Sequence, residues 1–182
     1  MKTGRAICYL VGILTLLVDV ATKTWAVSTL ADGQPRTVLG PLLKLHYTRN
    51  SGAAFSMATG STWIFTLISA AVVIAVIVIA GRIASRWWAL ALGLLLGGSL
   101  GNLADRIFRS PGHLKGLVVD WIELPHWPIF NVADSAIVIS ACLIALLSAR
   151  GVGYRDQGTT AVSSIGPSGA ATGTSEEAGE QA

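Results

Sequence analysis

Four long apolar stretches decide what this chain can fold into. They lie at about residues 6–27, 63–80, 87–104 and 129–149. Each is long enough, or nearly so, to cross a hydrocarbon core, which takes about 20 helical residues. The composition agrees, because only 13% of the residues are charged, against about 25% in soluble domains. We therefore predict an all-α membrane protein, a bundle of four transmembrane helices.

The segments between the predicted helices indicate a small sheet on one side of the membrane. In the segment 28–62, apolar and polar residues alternate over 43–48, which is typical of a half-exposed strand. A Gly-Pro turn at 40–41 precedes it. The loop 106–128 holds a second strand candidate at 117–119. We expect these segments to form a β-sheet on the outer face of the membrane that the helices cross.

The chain divides by composition into a domain at 1–150 and a tail at 151–182. The tail is rich in Gly, Ser, Thr and Ala and has few residues to bury, so we expect it to be disordered and cytoplasmic. Four spans put both ends on one side, and two arginines in the short connection Gly81–Arg86 favour that side as the cytoplasmic one. Six tryptophans near the predicted helix ends fit an interfacial belt.

Charge and residue types exclude several functions. The net charge of +3 comes without a Lys/Arg cluster, so we predict no nucleic-acid partner and only a mild affinity for anionic membrane lipids. The histidines, His46, His113 and His126, are scattered, and the chain has no HExxH or CxxC motif. No Ser or Cys has a plausible His partner. We therefore predict that the protein needs no metal and no cofactor.

The residues 97–134 hold three aspartates, Asp105, Asp120 and Asp134, among apolar neighbours. Ionisable groups at the edge of a hydrocarbon layer are expensive and indicate function. If Asp120 and Asp134 converge, one would stay ionised as a base and the other protonated as an acid, which is enough to activate water against an amide. The alternative for Asp134 is a capping role in the first turn of helix four.

Two groups of residues in the helices have both a functional and a packing interpretation. Asp19 and Lys23 share one face of helix one and either anchor the outer segments or extend to the interface with no further role. Four glycines give helix three a face of small residues, which suits either a substrate's close approach or tight helix packing: Gly93, Gly97, Gly98 and Gly101.

Polar residues also lie near the aspartates. Asn102 and Asp105 share a face at the outer end of helix three, and we expect the adjacent Arg106 to keep Asp105 ionised or tie it to another acceptor. Asn50 opens the small-residue segment 50–55, which indicates close backbone approach or a plain turn.

Five motifs in this order resemble the lipoprotein signal peptidase family, also called signal peptidase II. The resemblance covers about residues 5–150 and rests on these segments: DVATK at 19–23, NSGAAF at 50–55, GGSLGNLADR at 97–106, VVDW at 118–121 and FNVAD at 130–134. It implies an aspartic endopeptidase of the bacterial cytoplasmic membrane. Such enzymes remove signal peptides from prolipoproteins on the amino side of a diacylglyceryl-modified cysteine.

The resemblance also implies a fold and a set of residue roles. The fold would be four helices with an outer β-cradle and a short helix over the active site, with termini inside and the active site outside. Asp120 and Asp134 would be the catalytic pair, and Asp105 a structural partner of the arginine. Asp19 with Lys23 would steady the cradle. The substrate site would be lined or braced by Asn50, Gly98, Asn102, Arg106 and Asn131. The chain departs from the family pattern at two points. Trp121 in place of the usual Phe would narrow the interfacial pocket, and the short linker from Asp120 to Asp134 leaves the shape of the covering loop open.

Two other function classes fit a small membrane protein with intramembrane charges. A transporter or proton conductor would also carry Asp and Lys in its helices. The three aspartates cluster at one end, however, and the chain shows no internal repeat. A non-enzymatic lipid-binding or assembly protein would account for the glycine face but not for those aspartates.

Overall fold

Four helices and a three-stranded sheet make up the structure. The computed structural model describes residues 2–52, 62–112 and 114–155. The elements in chain order are α1 (Lys2–Thr29), β1 (Arg36–Leu39), β2 (Leu43–Asn50), α2 (Thr62–Ala80), α3 (Arg86–Phe108), β3 (Val118–Glu123) and α4 (Val132–Ala149). All four helices are long and apolar enough to cross a membrane, so the four predicted spans are confirmed. The main difference is at α3, which continues four residues beyond 104, so that Arg106 lies in the helix and not in the predicted loop.

Helix α3 is the centre of the bundle. Within its apolar segment 56% of the residues are buried, against 22% in each of the other three helices. A Cβ added at Gly93 would lie 2.7 Å from the carbonyl oxygen of Cys8 on α1. One added at Gly98 would lie 2.6 Å from the carbonyl oxygen of Ala133 on α4. The helices therefore meet backbone to backbone at these glycines.

This contact bears on the two interpretations of the glycine face. Gly97 packs against Gly12 and Thr15 of α1, and Gly101 packs against Asp19 of α1. The face is covered by the protein's own helices, so tight helix packing is the correct interpretation. Gly98 accordingly contacts α4 rather than an open groove.

The sheet lies at the end of the bundle where α1 and α3 finish. It is antiparallel in the order β1-β2-β3, and its β3 packs on α1 through a small buried cluster of Ala26, Leu30 and Val119. Thr48 of β2 lies opposite Asp120 of β3. The predicted strands are confirmed, but β3 continues to Glu123, so Asp120 lies inside the strand rather than at its end.

The end of α4 is followed by a short segment that packs back on the bundle. The indole Nε1 of Trp88 donates to the carbonyl of Val152 at 2.7 Å, and the amide of Ala84 donates to the carbonyl of Tyr154 at 2.8 Å. Residues 152–154 therefore belong with the helices, not with the tail expected to begin at 151. The remainder of that tail, 156–182, lies outside the described residues.

Part of the segment between α1 and α2 also lies outside the described residues. These are residues 53–61, which include the second half of the NSGAAF motif. Among the described residues of the two segments that carry the sheet, none forms the covering helix that the resemblance implies. That expectation stays a prediction.

Candidate active site

A buried lysine connects α1 to α3 beneath the sheet. The ammonium of Lys23 lies 2.8 Å from the carboxylate of Asp19 and 3.0 Å from that of Asp105. It also donates to Oδ1 of Asn102 at 3.0 Å. Lys23 and Asp19 are both fully buried, so the alternative in which this pair extends to the membrane interface is wrong. The pair joins α1 to α3, and Asp19 also accepts from the amide of Ala133 on α4 at 2.9 Å.

Asp105 has partners that the sequence did not indicate. Its carboxylate accepts from Nε of Arg109, one helical turn further along α3, and from the amide of Val119 on β3 at 3.1 Å. The arginine that contacts Asp105 is therefore Arg109 and not Arg106, which corrects the expected pairing. The i, i+4 spacing of Asp105 and Arg109 was the available signal. Through the bond to Val119, the Lys23 network also reaches the sheet.

Arg106 points in a different direction from its neighbour. Its guanidinium lies 5.5 Å from the ring centre of Phe65 on α2. Its Nη1 donates to the carbonyl of Ser51 at 3.4 Å. The side chain is 7% exposed, so a cation is held between α2, α3 and the segment after β2. Ser51 had not been singled out, because its contribution is a backbone carbonyl.

Two side-chain amides hold the carboxylate of Asp120. Asn131 donates to its Oδ1 at 2.6 Å, and Asn50 donates to its Oδ2 at 2.9 Å. The carbonyl oxygen of the Asn50 side chain accepts from the amide of Gly52 at 2.7 Å. Gly52 has φ +91°, a conformation that favours glycine. The turn after β2 thus orients Asn50, which the small-residue motif had indicated only weakly.

Asp134 lies in the first turn of α4 and takes part in a capping box. Its amide donates to the Asn131 side chain at 2.9 Å, and its Oδ2 accepts from the Asn131 amide at 3.2 Å. Its Oδ1 accepts from Asn102 of α3 at 2.8 Å. The capping interpretation is therefore correct. It does not exclude an acid/base pair with Asp120, because the same Asn131 side chain also holds Asp120. One asparagine contacts both carboxyl groups.

Burial, together with the neighbouring charge of Asp134, raises the pKa of Asp120 to about 6. The hydrogen bonds from Asn50 and Asn131 and the charge of Lys23 act in the opposite direction but are outweighed. Asp120 is 1% exposed. A carboxyl group of this kind titrates close enough to neutral pH to exchange a proton during a reaction.

This pKa shift predicts a pH-dependent difference in stability between the wild type and Asp120→Asn. A carboxyl group whose folded pKa is raised binds more protons in the folded state, so its contribution to stability is lost as the pH rises. We expect the wild type to gain up to about 3 kcal/mol relative to the variant as the pH falls from about 7 to about 4. Thermal unfolding in detergent across this range measures it. A difference that is constant with pH would contradict the shift.

Two openings reach the aspartates from different sides. A polar pocket of about 250 Å³ opens at Asp120 and is lined by Thr48, Arg49, Asn50, Ser51, Pro128 and Ile129. An apolar groove of about 300 Å³ opens at Asp134 and is lined by Leu124, Trp127, Phe130, Ser135, Val138 and Ile139. Water and an apolar chain therefore each have a route to the carboxyl pair. Among the described residues, no three His, Cys, Asp or Glu side chains group to hold a metal ion.

Comparison with known proteins shows which protein family this chain belongs to. Residues 11–150 match the family model described as signal peptidase (SPase) II. This chain belongs to the signal peptidase II family. Proteins named lipoprotein signal peptidase are similar to it. One from Mycolicibacterium smegmatis is 50% identical over 163 residues, which cover 87% of this chain and 69% of that protein. One from Mycobacterium tuberculosis is 48% identical over 144 residues, 79% of this chain and 71% of that protein.

Solved structures agree with this signal peptidase II assignment. A bacterial membrane enzyme determined at 1.9 Å resolution is 30% identical, with a TM-score of 0.67, over 78% of this chain and 91% of that one. A second, at 2.3 Å, is 27% identical with a TM-score of 0.67 over 82% and 92% of the two chains. The four-helix fold with its small sheet is thus the fold of a membrane enzyme, and the protein is a multi-pass membrane peptidase of the signal peptidase II family.

Proposed function

We propose that the protein is an aspartic endopeptidase that cleaves the signal peptide from diacylglyceryl-modified prolipoproteins, on the amino side of the lipidated cysteine. The observation that carries this proposal is the pair of carboxyl groups of Asp120 and Asp134 at one end of the bundle. Both accept hydrogen bonds from Asn131, Asp120 from its side-chain NH₂ group and Asp134 from its backbone N–H. In a chain of the signal peptidase II family, this pair is the arrangement suited to hydrolysis of a peptide bond.

In the proposed reaction, a water molecule lies between the two carboxyl groups. The ionised aspartate takes a proton from water, and the resulting hydroxide attacks the carbonyl carbon of the scissile bond. The protonated aspartate donates to the carbonyl oxygen. As the tetrahedral intermediate collapses, the aspartate that took the proton from water gives it to the leaving amine, the other aspartate takes back a proton from a hydroxyl of the intermediate, and the C–N bond breaks. Fixed amide donors around a partly dry site stabilise the charges that develop, and no cofactor takes part.

The two openings support the proposed substrate. The apolar groove at Asp134 suits the apolar signal segment or an acyl chain next to the scissile bond. The polar pocket at Asp120 suits the entry of water. Asn50, Asn102 and Asn131 would hold the carboxyl groups, and Arg106 would brace the segment after β2. Asp19, Lys23 and Asp105 would stabilise the helices below.

The proposed location follows from the same function. The protein would lie in the bacterial cytoplasmic membrane with its termini in the cytoplasm and the sheet and active site on the outer side. Residues 1–150 would carry the activity. Transport is disfavoured, because the charged residues buried in the described helices all lie at the sheet end: Asp19, Lys23, Asp105 and Arg106.

A cleavage assay with matched substrates tests the proposal. Purified protein in detergent would receive a prolipoprotein with a diacylglyceryl-modified cysteine and, separately, the same precursor without the lipid. We expect a gel shift for the lipidated precursor only, because the acyl chains anchor the cleavage site at the apolar groove. Equal cleavage of both precursors would contradict the proposed lipid dependence. Absence of cleavage by folded protein would contradict the function, and proteoliposome flux would then test transport.

A further inference from the structure

The three asparagines at the site all turn their NH₂ groups toward a carboxylate, and in each case a donor on the far side fixes this orientation. The amide of Gly52 donates to Oδ1 of Asn50, and the amide of Asp134 donates to Oδ1 of Asn131. For Asn102 the donors are Lys23 at 3.0 Å and Asn131 at 3.3 Å. An ammonium group only donates hydrogen bonds. The Asn102 atom that faces Lys23 must therefore be oxygen, and the NH₂ group must face Asp134.

We infer that Lys23 is a positioning residue for the reaction: through Asn102 it holds Asp134 as the ionised base, leaving Asp120 as the acid. This inference rests on the proposed function, and it assigns the two roles that the function alone leaves open. Among the described residues, the hydrogen bonds and salt bridges of Lys23 are to Asn102, Asp19 and Asp105, and to neither catalytic carboxyl group. It acts through the amide between them.

The surroundings of the two carboxyl groups favour the same assignment. Asp134 is partly exposed and lies in the first turn of α4, where the helix dipole stabilises a negative charge. Asp120 lies on a strand and is 1% exposed. This burial favours its neutral form and outweighs the hydrogen bonds from Asn50 and Asn131, which favour the ionised form. A hydrogen bond from Asn102 stabilises the ionised form of its acceptor. An Asn102 turned the other way would place its oxygen against Asp134 and disfavour that form.

Other charged groups face this pair and enter any test by pH. Arg106 of α3 acts electrostatically on both Asp120 and Asp134. The charge of Lys23 on α1 acts electrostatically on Asp120, and Lys23 itself forms salt bridges with Asp19 and Asp105. A change in the pH profile of a Lys23 variant can therefore come from charge alone. The test must separate charge from amide orientation.

A double-mutant cycle of Lys23→Met and Asn102→Ala makes this separation. We expect Lys23→Met to lower kcat about 10-fold, with KM within about 2-fold of wild type. The acid limb of its kcat profile should move about one unit to higher pH, because the base is harder to ionise. In the Asn102→Ala background the same substitution should have no further effect, since the amide it orients is gone. A purely electrostatic effect would persist there and would overturn the inference.

Folding and the proposed function are controlled separately. Arg109→Gln breaks another contact of the same network without touching Asn102, so its pH profile should match the wild type. If Lys23→Met does not fold, the double variant Lys23→Met/Asp105→Asn takes its place, because it removes one charge of each sign. Asp105→Asn then serves as the reference in place of the wild type. Cleavage by Asp120→Asn or Asp134→Asn would overturn the proposed catalytic pair and this inference together. Loss of cleavage in both, with an unchanged profile for the Lys23 variant, would overturn only the inference.

Discussion

Asp120→Asn and Asp134→Asn should each lower the rate of prolipoprotein cleavage about 10³-fold or more while the protein stays folded. An amide has the shape of the carboxyl group but neither takes a proton from water nor gives one to the scissile carbonyl. Both positions are needed because one group acts as base and the other as acid. The measurement is the gel-shift assay with lipidated precursor, run beside a thermal unfolding curve for each variant.

Two further aspartates serve as controls for this result. Asp32→Asn changes an exposed carboxylate that pairs with Arg36, and it should leave cleavage unchanged. Asp105→Asn changes the buried carboxylate that contacts Lys23 and Arg109, so we expect lower stability with cleavage retained in the folded fraction. Cleavage lost in Asp105→Asn but retained in Asp120→Asn would move the catalytic role to Asp105.

The parts of the fold that the sequence predicted are those with a local physical cause. The spans follow from the length of each apolar stretch, and β2 follows from alternation along a single strand. The helix-capping role of Asp134 could likewise be predicted from its place three residues after Asn131. In each case the deciding contact lies within one element or one turn.

The parts that were wrong depend on how the helices rotate against each other. The partner of Asp105 was predicted to be its neighbour Arg106, but adjacent helical residues point about 100° apart. Arg109 is on the same face as Asp105, whereas Arg106 faces α2 and the segment after β2. The complete burial of Lys23 could not be predicted from the sequence either, because its partners lie on two different helices, α1 and α3.

The site shows the same division between local and long-range causes. Motifs singled out Asn50, Asn102 and Asn131, and the structure brings all three to the carboxyl pair. The orientation of each amide depends on a donor behind it, and for Asn102 that donor is 79 residues away in sequence. A motif can thus identify which residues reach the site. The direction of each hydrogen bond, in contrast, can be determined only from the folded bundle.

Gly98→Val should destabilise the protein by about 1–3 kcal/mol or more, the second large effect we expect. A Cβ at this position would lie 2.6 Å from the carbonyl oxygen of Ala133 and 2.9 Å from the side chain of Ile137, both on α4. The nearer of these atoms belongs to the α4 backbone, which cannot move aside alone, so α3 and α4 must separate. Thermal unfolding in detergent measures the loss. The separation would also displace Asn131 and Asp134 at the start of α4.

Gly81→Val is the matched control, since a Cβ at Gly81 meets nothing within 4 Å and the position lies in the turn between α2 and α3. It should leave the unfolding temperature close to that of the wild type. The two interpretations of the glycine face then separate by kinetics. If Gly98 lined the substrate's path, Gly98→Val would keep its stability and raise KM. If Gly98 instead holds α4 against α3, stability and kcat fall together, because the helix that carries Asp134 is no longer held in place.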